Sequence, residues 1–326
     1  MFLGIDVSKA TLDVALLVEE EARKARHKVF PNTSEGHQQL LLWLCEQGAT
    51  QVHATLEATG TYAEPVALAL HEAGHRVSLV NPALVRAFGQ SQLKRTKTDK
   101  ADAILIARFC ALHKPALWSP PAPELRELQA LVRRVEALEE MKHMEMNRLE
   151  SGALGEVVRT SLEDHILYLQ SHIDSTRRQI SDHIQAPDAL REQERLLCSI
   201  PGIAQTTAAV LLSEIGDFCH FNRARQVAAF AGLVPRIRES GSSVRSKPRL
   251  SKVGTPRLRK CLYFPAMTAL RWNPLIKALG LRLSAQGKPK MLIIGAAMRK
   301  LLHPAYGVLK SGKPFDENFS CKTSTT

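Results

Sequence analysis

Residues 1–18, MFLGIDVSKATLDVALLV, alternate apolar with small or polar side chains on both sides of an SKA turn. A period-2 alternation broken once by a polar turn predicts a two-stranded hairpin, so the chain must begin by building a sheet. A third strand is expected at KARHKVF, residues 24–30. GHQQLLLWLCEQ then has helical apolar spacing, and VHATLEATG is strand-like and runs into a glycine turn. PVALALHEAG reads as a helix ending at glycine, and HRVSLVNP as a strand stopped by Pro82. After a loop, residues 99–113, DKADAILIARFCALH, form a further amphipathic helix.

The order β β β α β α β α suits an α/β domain with a mixed sheet of the ribonuclease H-like kind. That fold builds its reaction centre from acids at the ends of neighbouring strands and from a helix that crosses the sheet. Asp6 lies in the first strand, Glu57 ends the fourth, and Asp99 and Asp102 share a helix face because i and i+3 are neighbours. Crowded carboxylates repel one another, and divalent cations among them relieve the repulsion; hard ions such as Mg²⁺ take oxygen ligands. Two such ions roughly 4 Å apart clamp the attacking and leaving oxygens of a phosphodiester. The cations beside these acids, Lys94, Arg95, Lys97 and Lys100, suit the phosphates of a strand.

Each acid also has a plainer reading. Asp99 could cap the helix with Asp102 at its third position. Asp6 and Asp13 could be outward polar positions of a half-solvated hairpin, and Glu57 a surface residue at a strand end. The coincidence of position, with Asp6 between Ile5 and Val7 and Glu57 where the fold needs it, favours a shared site.

Charge narrows the partner. Lys and Arg number 44 against 32 Asp and Glu, a formal charge of +12 that favours a polyanion such as nucleic acid. An anionic membrane surface would suit the charge as well, but there is no apolar run of spanning length, no N-terminal signal segment and no basic amphipathic helix at either end. A cytoplasmic protein without membrane association is expected. The cysteines, Cys45, Cys110, Cys198, Cys219, Cys261 and Cys321, form no CxxC pair and read as reduced thiols.

SPPAPE, residues 119–124, is a linker into a long helical region. Leu128, Leu131, Val135 and Leu138 repeat with spacing 3, 4, 3. After SGALG, residues 151–155, come Leu162, Ile166, Leu169, Ile173, Thr176 and Ile180. This heptad-like seam fits a helical hairpin within the chain and a coiled coil between subunits equally well. SIPGIAQTTAAVLLSEIG, residues 199–216, resembles a helix-hairpin-helix, with Ala204 where such hairpins usually carry a second glycine. Three regions are expected: an α/β domain over 1–118, a helical region over 119–190 and a mainly α domain over 191–326.

From Arg236 to Lys260 there are nine Lys or Arg and one acid, Glu239. Arg236, Arg238, Arg245, Lys247, Arg249, Lys252 and Arg257 are candidate phosphate contacts. Within the stretch lies ESGSS, and chemistry alone does not choose among Ser240, Ser242 and Ser243 as a nucleophile or separate them from ordinary turn residues.

GIDVSK, LEATGTY, VNPALVRAFGQS and KTDKADA, in that order, resemble the N-terminal domain of the DEDD transposases of the IS-one-ten insertion-sequence family, a domain like the RuvC junction resolvase. A second signature, GL.P....SG followed by K.G, matches Gly232, Leu233, Pro235, Ser240, Gly241, Lys252 and Gly254. The resemblance implies that Asp6, Glu57, Asp99 and Asp102 bind two Mg²⁺ ions. It implies that Ser240 attacks DNA to form a phosphoserine link, and that a coiled coil assembles a homo-oligomer, dimer or tetramer. It further implies a bacterial recombinase acting on donor and target DNA with a structured bridge RNA. Two rivals are a water-using metal-dependent junction endonuclease and a non-catalytic nucleic-acid-binding assembly protein.

Overall fold

The computed structural model describes the chain except for residues 20–23, 59, 61, 93–97, 153–154, 217, 237–238, 241–243, 246–248 and 318–326; at 219, 239, 240, 244 and 245 it describes the backbone alone. The chain divides into two compact units, Met1–Pro120 and Pro121–Thr326.

In the first unit the hairpin is formed by β1 (Phe2–Val7) and β2 (Thr11–Leu17), followed by β3 (Arg26–Pro31), α1 (Ser34–Glu46), β4 (His53–Glu57), α2 (Glu64–Glu72), β5 (Arg76–Val80), α3 (Pro82–Ser91) and α4 (Asp99–His113). The sheet is mixed, in the order β3-β2-β1-β4-β5, with β1 antiparallel to β2 and parallel to β4. This arrangement is consistent with a RuvC-like domain. The alternation sorts β1 onto two faces: Leu3 and Ile5 join Leu40, Leu44, Val66 and Leu70 of α1 and α2 in one core. Burying each such Leu or Ile contributes about 1.5–3 kcal/mol. Ala15, Leu17, Ala103 and Ala107 pack together on the opposite face, under α4.

The segment after Pro82 is not the expected loop. Asn81 accepts a hydrogen bond from the Ala83 N–H (2.9 Å), and Pro82 sits in the first turn of α3. Proline ends a strand and also suits the first helical position, where its missing N–H has no intrahelical partner.

In the second unit α5 (Pro123–Glu150) and α6 (Glu156–Gln185) form an antiparallel hairpin. Val135 and Leu138 meet Leu169 and Ile173, and Arg177 donates to Glu139 (2.7 Å), so the heptad-like seam closes within the chain. Beyond it come α7 (Asp188–Cys198), α8 (Gln205–Ile215), α9 (Ala224–Phe230), the two-residue strands β6 (Pro235–Arg236), β7 (Glu239–Ser240), β8 (Val244–Arg245) and β9 (Arg249–Leu250), and then α10 (Pro256–Trp272), α11 (Pro274–Ala285) and α12 (Lys290–Ser311). The turn between α7 and α8 packs on α10: Gly202 has φ +107°, and a Cβ there would stand 2.9 Å from the Pro265 carbonyl oxygen. Among the described residues no helix is long and apolar enough to cross a membrane.

Candidate active site

Three features of the first unit bring its acids together. Ile5 pairs with Leu56 in the parallel β1–β4 ladder, so Asp6 and Glu57, next along, stand at the same level of the sheet. Gly4, two residues before Asp6 and on the same face, has no side chain to hold α4 away from the sheet; a Cβ would fall 2.2 Å from the Ala103 carbonyl oxygen and the Ala107 nitrogen. The cap of α4 is Thr98, whose hydroxyl accepts from the Ala101 N–H (3.2 Å). Asp99 and Asp102 are therefore first-turn residues without a capping duty, next to the point where α4 meets β1.

The electrostatics agree with this convergence. Burial pushes the half-buried Asp6 carboxyl above the usual carboxylate range, and Asp102, Asp99 and Asp13 push it further in the same direction. A divalent cation would relieve such crowding, and the donors are the hard oxygens that Mg²⁺ takes. Among the described residues no three His, Cys, Asp or Glu side chains close on a common point. Asp13, expected to face outward, is instead 9 % exposed and lies opposite Asp6 on β2, with His27 Nε2 3.0 Å from its Oδ1. Reading strand alternation alone misses it, because a half-solvated hairpin and one covered by a helix share the same pattern.

In the second unit Ser240 closes β7, with Val244 of β8 as its register partner, so it is the last strand residue before residues 241–243. The backbone alone is described at Ser240 and Arg245, and Ser242, Ser243, Arg238 and Lys247 lie outside the described residues, as do Lys94, Arg95 and Lys97 of the first unit. The motif glycines next to this hairpin have steric reasons. Gly254, at φ +142°, would place a Cβ 2.2 Å from the Phe230 carbonyl oxygen, and Gly232, at φ +68°, would meet Arg259 at 2.6 Å. Arg259 donates to the carbonyls of Ala231 (3.1 Å) and Gly254 (3.0 Å), fastening both strands of the loop. Lys252 between them is held at φ +56°, uncommon for a residue with a side chain.

The basic residues divide into two groups. Lys100, Arg236, Arg249 and Lys252 are exposed. Arg236 and Arg249 stand directly opposite each other in the β6–β9 ladder, a like-charge pairing that is unfavourable until an anion lies across it. Arg257 turns inward instead, donating to Glu136 (2.8 Å) and approaching Glu214 (3.5 Å). Its charge is matched by carboxylates of α5 and α8.

Two family models match: one described as a DEDD transposase over residues 3–157, and one described as the transposase IS116/IS110/IS902 family over residues 194–280. A pilin gene-inverting protein of Moraxella bovis is 34 % identical over 319 residues, covering 97 % of this chain and 98 % of the relative. The chain belongs to the IS110 family of transposases. A transposase for insertion sequence element IS1328 of Yersinia enterocolitica is 27 % identical, over 59 % of this chain and 64 % of its own length. One for element IS1111A of Coxiella burnetii is 25 % identical over 61 % and 60 %. As a transposase of this family the chain is an enzyme that cleaves and transfers DNA, and the reading as a non-catalytic assembly protein is set aside.

Proposed function

We propose that this transposase cuts and rejoins DNA through a covalent phosphoserine at Ser240, with Asp6, Glu57, Asp99 and Asp102 holding the divalent cations, Mg²⁺ by preference, that assist the step. The observation that carries the proposal is the gathering of Asp6, Asp99 and Asp102 where α4 crosses β1, with the Asp6 carboxyl pushed up by burial first and by Asp102 and Asp99 after it. Cations bound there would polarise a phosphodiester and stabilise the charge that develops as it is attacked. Ser240 closes a strand just before Gly241, in a stretch dense in cations, a setting that suits a hydroxyl attacking a phosphate. Exposed Arg236, Arg249, Lys252 and Lys100 would hold the phosphate backbone. The formal charge of +12 also accommodates a guiding bridge RNA, and the family signature supports an oligomer that completes the active site.

The test is a denaturing gel of end-labelled DNA carrying the element's termini, incubated with protein, Mg²⁺ and RNA transcribed from the flanking non-coding DNA. Ser240→Ala is expected to abolish the protein–DNA adduct and retain binding, while Ser242→Ala and Ser243→Ala leave the adduct in place. Cleavage without an adduct in the wild type would favour the water-using endonuclease.

A second reading, inversion of a DNA segment between two sites, is favoured by the end-to-end alignment with a gene-inverting relative, where the insertion-element relatives named above align over about three fifths of the chain. The chemistry is the same, and the products differ. A plasmid with inverted sites reports inversion, and a separate target plasmid reports insertion.

A further inference from the structure

Asp6 and Asp13 are direct partners in the antiparallel β1–β2 ladder. Two carboxylates directly opposite in such a pair repel. The next inward positions of β2, Ala15 and Leu17, are apolar and packed under α4, which is what a covered strand ordinarily carries. Asp13 is therefore kept against both electrostatics and burial. It is also held: His27 of β3 lies at 3.0 Å, reaching diagonally, because the register partner of Asp13 is Val29, two residues further on. Both side chains are largely buried, at 12 % and 16 % exposed.

The geometry points to Asp13 and His27 as a positioning pair for the acid site: His27 fixes the Asp13 carboxylate, and Asp13 strengthens the hold of Asp6 on a divalent cation without touching the ion. The contact with His27 at 3.0 Å engages the Asp13 carboxylate, which is why it is assigned a place beside the ligand set and not within it. Its fixed negative charge beside Asp6 deepens the local potential for a cation. The bond to His27 keeps that carboxylate from swinging toward the cation and competing with the ligands. Partners of this outer kind change metal affinity by about 10–100-fold when removed. The inference rests on the metal-binding reading of the acids.

The experiment measures Mn²⁺ binding to the full-length chain by the electron paramagnetic resonance of the free ion, at pH 8, with circular dichroism melts to establish folding. Asp13→Asn preserves shape and removes charge, and is expected to weaken Mn²⁺ binding about tenfold. His27→Ala is expected to weaken it several-fold, and His27→Gln, which keeps an N–H donor, to recover most of the loss. Asp6→Asn, the control, is expected to abolish it. If Asp6→Asn loses Mn²⁺ while Asp13→Asn binds as the wild type does, the positioning pair is overturned and the metal site stands. Should Asp13→Asn fail to fold, equal affinity in His27→Ala, His27→Gln and the wild type overturns the pair. If the wild type binds no Mn²⁺, or Asp6→Asn binds it unchanged, the metal reading falls and the pair with it.

Discussion

Gly4 lies under Ala103 so closely that a Cβ on the glycine would stand 2.2 Å from the Ala103 carbonyl oxygen. This contact sets how near α4 comes to β1, and Asp102 is the residue before Ala103. Gly4→Ala must push the helix out, since backbone rather than a flexible side chain is in the way. A destabilisation of about 1–3 kcal/mol or more is expected, seen as a fall in Tm, together with loss of DNA cleavage. A variant with wild-type Tm and cleavage would show that α4 can slide without cost.

Because Thr98 caps α4, stability and chemistry separate at this helix end. Thr98→Ala is expected to cost about 0.5–2 kcal/mol. Asp102→Asn and Asp99→Asn are expected to lose strand cleavage while melting within a few degrees of the wild type. Full cleavage by either asparagine variant in Mg²⁺ would remove that residue from the metal site.

Arg236 and Arg249 oppose each other in an exposed ladder, and Lys252 follows nearby in sequence. Replacing all three with glutamine is expected to weaken DNA binding and to flatten its dependence on salt by up to three phosphate contacts, since fewer counterions are released. The slope of log affinity against log salt measures this, and an unchanged slope would move the binding face elsewhere.

For Arg257 the expectation is the reverse. Its guanidinium is matched to Glu136 and Glu214, so Arg257→Ala should lower stability by about 1 kcal/mol, a modest figure because the side chain is 40 % exposed and solvent screens it. The salt slope of DNA binding should stay unchanged. A reduced slope at constant Tm would return Arg257 to the DNA contacts.

Glu214 supplies a pH signature. Burial pushes its carboxyl above the ordinary value, outweighing the nearby Arg257 and Arg133, with Glu136 adding to the rise. The folded state then holds this proton more tightly than the unfolded state. The contribution of Glu214 to stability is fully present below the unfolded value near 4.5 and is lost as pH rises through the folded one. Glu214→Gln should therefore melt closer to the wild type at pH 4 than at pH 7, where it should gain relative to it. A constant Tm difference between the two would contradict the burial argument.

Periodicity and capping chemistry are local, which is why the β1–β2 hairpin, β4 ending at Glu57 and α4 running from Asp99 to His113 can be read from the residues alone. The elements that carry the four acids are legible for the same reason: Asp6 lies within β1, Glu57 ends β4, and Asp99 and Asp102 fall in the first turn of α4. Helix α3 is not, because Pro82 ends a strand and begins a helix with the same ring. The seam of α5 and α6 has a spacing that a hairpin and an intersubunit coil satisfy alike, and the packing of Val135 and Leu138 on Leu169 and Ile173 closes it within the chain. Charge pattern likewise makes Arg257 another member of a basic run; its carboxylates, 121 and 43 residues away in sequence, are brought to it by the packing of α5, α8 and α10. The burial of Asp13 belongs to the same class. The sequence by itself determined which residues carry charge and, for β1 to β5, α1, α2 and α4, the elements they occupy, because those follow from each residue's nearest neighbours. Only the tertiary structure decided which charges meet and which stay in water, because a Coulomb interaction and a desolvation penalty depend on distances through space that no local pattern encodes.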